Sequence, residues 1–244
     1  MSKKWWFLVG TLLLIAASAG ASTEEATKVL HVYGPGGPHH VIEECAALFG
    51  ERNGVSVAVI RALPHDLERR LREDGDLYFG GAEYMLEEFD RQNPGVLDRE
   101  SMEKLHPRRI GILVRKGNPL QIKGVEDLAA EGVDLLDVKL EKMRQFHGPD
   151  SNLRRNIRRY EYTGQQGVSA WRSTPTLDAW VTYRTWYLQL EDDADFIEIP
   201  GEIGQRYTPM ALTRHTQHRE EALEFISFLK SETARRIFEE HGWY

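Results

Sequence analysis

Val29-Leu30-His31-Val32 runs into Tyr33-Gly34-Pro35-Gly36-Gly37-Pro38-His39-His40, which opens onto Val41-Ile42-Glu43-Glu44-Cys45-Ala46-Ala47-Leu48-Phe49. The first segment is apolar and β-branched, as in a buried strand, and the last carries apolar residues at helical spacing. Between them lies a Gly/Pro loop, so the stretch predicts a strand, a tight turn and a helix N-terminus. The first peptide N–H groups of a helix have no internal partner, and the macrodipole puts partial positive charge there. Such a junction can therefore hold an anion. A bare βα turn is the competing reading.

A second junction follows. Val55 to Ile60 alternates as a strand, Pro64 opens a charged helix running to Glu73, and Asp76-Leu77-Tyr78-Phe79 leads through Gly80-Gly81-Ala82-Glu83 into a helix from Tyr84 to Phe89. Helices alternating with short strands predict an α/β sheet, on which ligands collect at the carboxyl ends of the strands. Ile110 to Arg115 is a strong strand, broken by Lys116-Gly117-Asn118-Pro119. Lys123 to Leu128 reads as a turn opening a short helix. Glu131 to Phe146 is ambiguous: Val133-Asp134-Leu135 suggests a strand, while Leu136 to Phe146 fits a helix, ended by the break at residues 147–151. A third glycine turn, Gly164-Gln165-Gln166-Gly167, precedes a helix. Strands follow at Leu177–Tyr183, Phe196–Ile199 and Pro209–Leu212. Two amphipathic helices, Arg219–Lys230 and Glu232–His241, complete the chain.

The N-terminus has the parts of a secretory signal: Lys3-Lys4, an apolar run from Trp5 to Ala17, and Ser18-Ala19-Gly20-Ala21-Ser22. The apolar run is short for a membrane span, so cleavage is expected after Ala21, with Ala19 as the alternative site and an uncleaved anchor as the competing reading. Cys45, the sole cysteine, lies far from the cleavage point, which argues against a lipoprotein, and it cannot form an internal disulfide. The expected destination is the periplasm. Loss of Lys3 and Lys4 makes the formal charge of −7 two units more negative, so nothing draws the protein as a whole to nucleic acid.

Six segments in order resemble one family: Tyr33 to His39, Phe79-Gly80-Gly81-Ala82-Glu83-Tyr84-Met85, Arg115-Lys116-Gly117-Asn118-Pro119-Leu120, Lys123 to Leu128, Asp178 to Tyr183 with Trp186, and His241-Gly242-Trp243. Together they resemble the AcfC-type accessory colonisation factors, periplasmic solute-binding proteins similar to the molybdate/sulfate-binding group. The resemblance implies a two-lobed, type II-like α/β binding protein in which each lobe is a mixed sheet flanked by helices. Two crossing strands hinge the lobes, and a small anion is held between them. Its lobes would be residues 29–114 with 207–244, and residues 115–206. It implies ligand positions at Gly36, Gly37, His39, Gly81, Ala82 and Glu83 in the first lobe. In the second, Thr182 and Tyr183 match by motif and Gln165, Gln166 and Gly167 by position. Departures fall in the second lobe, which is shortened between Leu128 and Leu153 and lacks the family's Ser/Thr/Gly-rich loop there.

Other residues add to this expectation. Arg172 and Arg184 are placed to offer bidentate recognition of a carboxylate or phosphate. A His39/Glu43 pair at helical spacing can hold a metal, with His31, His65 and His106 as further donors. A helix N-terminus repels cations, however, and no spaced Cys/His set is present, so neither metal nor cofactor is expected. No G-x-S-x-G, H-E-x-x-H or phosphate-loop lysine motif occurs, and the chain is read as a non-enzyme. The expected function is capture of a small organic or phosphorylated acid for an ABC-type membrane permease. The alternative is a periplasmic or surface interaction protein that keeps the fold without the ligand.

Overall fold

The computed structural model describes residues 28–147 and 152–244. The signal segment and residues 148–151 of the expected break lie outside the described residues. In chain order the elements are β1 (Val29–Gly34), α1 (Gly36–Asn53), β2 (Ser56–Arg61), α2 (Pro64–Glu73), β3 (Leu77–Phe79), α3 (Glu83–Gln92) and β4 (Glu103–Arg115). Then come β5 (Leu135–Val138), α4 (Arg144–His147), β6 (Ile157–Glu161), α5 (Gly164–Ser173), β7 (Ala179–Tyr183), α6 (Arg184–Tyr187) and β8 (Ala194–Glu198). The chain closes with β9 (Gln205–Leu212), α7 (Arg219–Leu229) and α8 (Glu232–Glu240).

These strands form two half-sheets that share β4. On one side the order is β2-β1-β3-β9-β4, with β1, β2 and β3 parallel and β9 antiparallel to both β3 and β4. On the other, β4 pairs antiparallel with β7 and β8, and β7, β5 and β6 run parallel. Residues Glu103 to Arg109 of β4 pair with β9, while Ile110 to Arg115 pair with β7 and β8. A single 13-residue strand therefore crosses from one half-sheet to the other.

Each half-sheet buries both faces, and strand alternation assigns residues to them. In the first, Leu30, Val32, Leu77, Phe79, Met210 and Leu212 pack under α1, α7 and α8. The intervening Tyr33, Tyr78 and Ala211 pack against α2 and α3 residues such as Leu67, Leu71 and Leu86. In the second, Ile110, Ile112, Val114, Ala179 and Val181 face one side, and Leu113 and Trp180 face the other with Trp171. The result is two α/β lobes with helices on both faces, joined through β4.

Three expectations change. The Gly/Pro loop is itself the first turn of α1: Pro35 is the N-cap, in extended conformation, and the helix begins at Gly36. The strand expected from Ile110 extends back to Glu103, because a register shift between Lys104 and Pro107 accommodates the proline, which cannot donate a ladder bond. Leu136 to Val138 belong to β5, not to a helix. Leu135 faces one core and Leu136 and Val138 the other, and a short strand buried on both faces carries no period that separates it from a helix.

Candidate functional site

Where the carboxyl ends of the parallel strands of the two half-sheets face each other, they enclose a cavity of about 430 Å³. The first lobe supplies Pro35, Gly36, Gly37 and His40 from the start of α1, Arg61, Ala62 and Leu63 after β2, and Gly81, Tyr84 and Met85 from the β3–α3 junction. The second supplies Leu140, Glu141, Thr163, Gly164, Gln165, Tyr183, Trp186 and Gln189. Arg108, from the crossing strand, completes the wall.

The first turn of α1 makes no side-chain cap bond. Pro35 and Pro38 have no N–H, so the free donors of that turn are the Gly36 and Gly37 amides, and both residues line the cavity. A Cβ on Gly37 would stand 3.5 Å from Arg108 Nη1, and one on Gly81 3.7 Å from the same atom. The two glycine junctions thus both approach the same guanidinium nitrogen.

Arg108 is 2 % exposed. Its Nη1 donates to the Gly81 carbonyl at 3.0 Å and its Nη2 to Thr185 Oγ1 at 2.8 Å. Its central carbon lies 3.8 Å from the Tyr183 ring centroid and 4.8 Å from that of Trp243. Its Nε has no protein partner, and neither does the buried Tyr183 hydroxyl, among the described residues. Burial pulls the Arg108 pKa down, with Tyr183, Glu141 and Tyr84 acting the other way. A guanidinium nevertheless remains protonated in a protein. The cation is thus held by neutral acceptors and aromatic faces, and its buried Nε is left without an acceptor.

Around it, Arg61 Nη2 lies 3.0 Å from His40 Nε2 at the first-lobe side of the cavity. The Tyr84 hydroxyl donates to the Leu140 carbonyl at 2.7 Å, joining α3 to the segment after β5. Lys142 with Glu88 makes a further bridge between the lobes, and Arg206 of β9 bonds Gln145. Thr182 Oγ1 donates to the Glu141 carboxyl, 3.1 Å from Oε1 and 2.9 Å from Oε2.

Of the expected positions, Gly36, Gly37, Gly81, Gln165 and Tyr183 are brought together in the cavity wall. His39 is not among the lining residues: it is buried, and the adjacent His40 lines the cavity in its place. Its pKa is lowered chiefly by burial, with the nearby Arg61 charge acting the same way. Ala82 is the buried N-cap of α3 and Glu83 its first residue. Gln166 is engaged in capping α5, accepting from the Thr163 amide at 3.0 Å while its own amide donates to Thr163 Oγ1 at 3.3 Å. Gly167 admits the Trp180 ring, which a Cβ would meet at 2.6 Å. Thr182 stands behind Glu141, and Arg184 lies 3.8 Å from Glu198 with its central carbon 5.0 Å from the Tyr244 ring centroid.

Arg108, Glu141, His40 and Arg61 are among the wall residues that sequence reasoning missed. For Arg108 a signal exists, since it is in phase with Ile110, Ile112 and Val114 on the buried side of one strand. For Glu141, in a short turn after β5, no local signal exists. His39, His40 and Glu43 each bring one ligand atom within 4.8 Å of the others. The Arg61 guanidinium against His40 and the positive end of α1 oppose a cation there. No helix among the described residues is long and apolar enough to cross a membrane.

Solved structures share this architecture. PEB3 with bound L-phospholactate superposes with a TM-score of 0.72 at 25% identity, covering 88% of this chain and 98% of that one. Peb3 from Campylobacter jejuni gives 0.71 at 25% identity over the same shares. The sulfate-binding protein SubI from Mycobacterium tuberculosis gives 0.71 at 15% identity, covering 88% of this chain and 86% of that one, a likeness of fold alone. No curated protein matches the chain. The description of the bacterial extracellular solute-binding proteins matches residues 30–244, and the chain belongs to that family.

Proposed function

We propose that the protein captures a small organic or phosphorylated acid between its two lobes and delivers it to a membrane permease of the ABC type. The observation that carries this reading is Arg108, a buried cation with only neutral protein partners and an unpaired Nε, set in a cavity wall beside the free Gly36 and Gly37 amides. A buried charge is costly unless it is compensated, and a carboxylate or phosphate offers the matching acceptors. PEB3, 25% identical, has been crystallised with L-phospholactate, which supports an acid of that kind.

In this reading the ligand contacts are the Gly36 and Gly37 amides, Gly81, His40 and Arg61 from the first lobe, Gln165 and Tyr183 from the second, and Arg108 between them. The lobes are residues 29–114 with 207–244, and 115–206, hinged at β4 and the facing β8–β9 segment. The closed state alone makes both sets of contacts, so the ligand favours it. The AcfC-type resemblance, cleavage after Ala21 and a periplasmic location without a lipid anchor belong to the same proposal. The test is thermal denaturation against L-phospholactate, phosphoglycerate, citrate, sulfate and molybdate. A ligand at a hundred times its dissociation constant adds about 2.7 kcal/mol and must raise the midpoint. No shift with any of them at millimolar concentration would sink the transport reading.

A further inference from the structure

Glu141 is a second buried ionisable group in the same wall, and anion capture leaves it without a task. Glu141 is 5 % exposed and its carboxyl accepts from the neutral Thr182 hydroxyl, with the neutral Trp186 side chain acting the same way on its titration. The groups acting on it are Arg108 of β4, Asp137 of β5, Tyr84 of α3, Tyr183 of β7 and Trp186 of α6. Only Arg108 among them is a cation, Asp137 opposes it, and the two tyrosines are themselves driven up by burial. Removing a carboxylate from water costs more than a hydroxyl and an indole return, so such a group takes up a proton. Burial accordingly pushes the Glu141 carboxyl up to about 8, against the pull of Thr182 and Arg108. An anion arriving in the cavity adds a like charge and favours the protonated form further.

We propose that Glu141 is a ligand-binding residue that works as the neutral acid, its O–H donating to the captured anion beside Arg108, so that each anion bound holds one proton on Glu141. Above the titration of the empty site the proton comes from solvent, and below it the acid already carries it. Selectivity follows from this arrangement. A Glu141 carboxylate would set lone pairs against an all-acceptor anion, whereas the acid supplies a donor. This inference rests on anion capture at the Arg108 cavity.

Isothermal titration of the exported chain with L-phospholactate as probe tests it, in pairs of buffers of different ionisation enthalpy at pH 7 and pH 9. The probe's phosphate, with a second pKa near 6, is fully ionised at pH 9 and contributes no proton. Affinity should be level from pH 7 to 8 and then fall towards tenfold per pH unit, with close to one proton absorbed per ligand at pH 9. Glu141→Gln keeps a donor, so it should bind within about threefold of the native protein at pH 7 and show neither pH slope nor proton uptake. Binding with no proton uptake at pH 9, or the same slope in Glu141→Gln, overturns the assignment while leaving anion capture intact. Absence of binding by the native protein at pH 7 removes both. If Glu141→Gln does not fold, the native protein's proton uptake decides alone.

Discussion

The central carbon of the Arg108 guanidinium lies 3.8 Å from the Tyr183 ring centroid, and neither Arg108 Nε nor the Tyr183 hydroxyl has a protein partner among the described residues. The arginine comes from the strand shared by both lobes and the tyrosine from the end of β7, paired to that strand through Ile110. Two residues of the cavity wall thus each carry an unsatisfied buried donor where the half-sheets join.

Replacing Arg108 with Met should weaken binding of the cognate acid by at least about tenfold to a hundredfold, the range for a charge-assisted hydrogen bond. Stability in urea should hold or rise, since an apolar chain of similar length replaces a buried unpaired cation. Calorimetry with urea titration separates the two effects. Retained affinity would show that the cation serves the fold alone.

His39 and His40 should divide stability from binding. His40→Ala should lower ligand affinity with little change in urea midpoint, while His39→Gln should lower stability in the absence of ligand. Burial lowers the pKa of both His39 and His106 from 6.5. The unfolded chain therefore binds more protons near that value, and the stabilisation is full above it and lost as pH falls through it. The loss is at most about 1.4 kcal/mol per pH unit for each histidine. Urea unfolding at pH 7.0 and 5.5 should show the fall, and His39→Gln with His106→Gln should flatten it.

Tyr84→Phe removes the hydroxyl that donates to the Leu140 carbonyl across the cleft. A net hydrogen bond of about 0.5–1.5 kcal/mol is lost from the closed arrangement. Ligand dissociation should quicken about threefold to tenfold in stopped flow, with association nearly unchanged. An unchanged dissociation rate would remove this contact from the closing mechanism.

Gly34→Ala should destabilise the protein by about 1–3 kcal/mol through overpacking. The added Cβ would stand 2.5 Å from three atoms of the Phe79 ring. The cause is space, and Gly34→Ala combined with Phe79→Leu should cost less than the sum of the two single changes. Additive costs in a double-mutant cycle would refute that coupling.

By itself the sequence determined the class of fold and its order. Strand-length apolar runs alternating with amphipathic helices called for an α/β sheet, and the strand–glycine–helix junctions at Gly36-Gly37 and Gly80-Gly81 located the face on which a site could form. Local chemistry sufficed there, because periodicity, proline and glycine act within a few residues. Only the tertiary structure decided which groups meet. His39 and His40 are neighbours in sequence, yet the helix turns one into the core and the other to the cavity. Arg108 lies at the charged start of a strand, where only its phase with Ile110, Ile112 and Val114 marks it as inward, and Glu141 sits in a short turn that reads locally as solvated. They come together because β4 crosses between the half-sheets and β5 follows it one strand further on, across β7, a pairing set by long-range register that no stretch of chain contains. Desolvation, which leaves Arg108 an unpaired cation and pushes Glu141 towards the neutral acid, is a property of that enclosure.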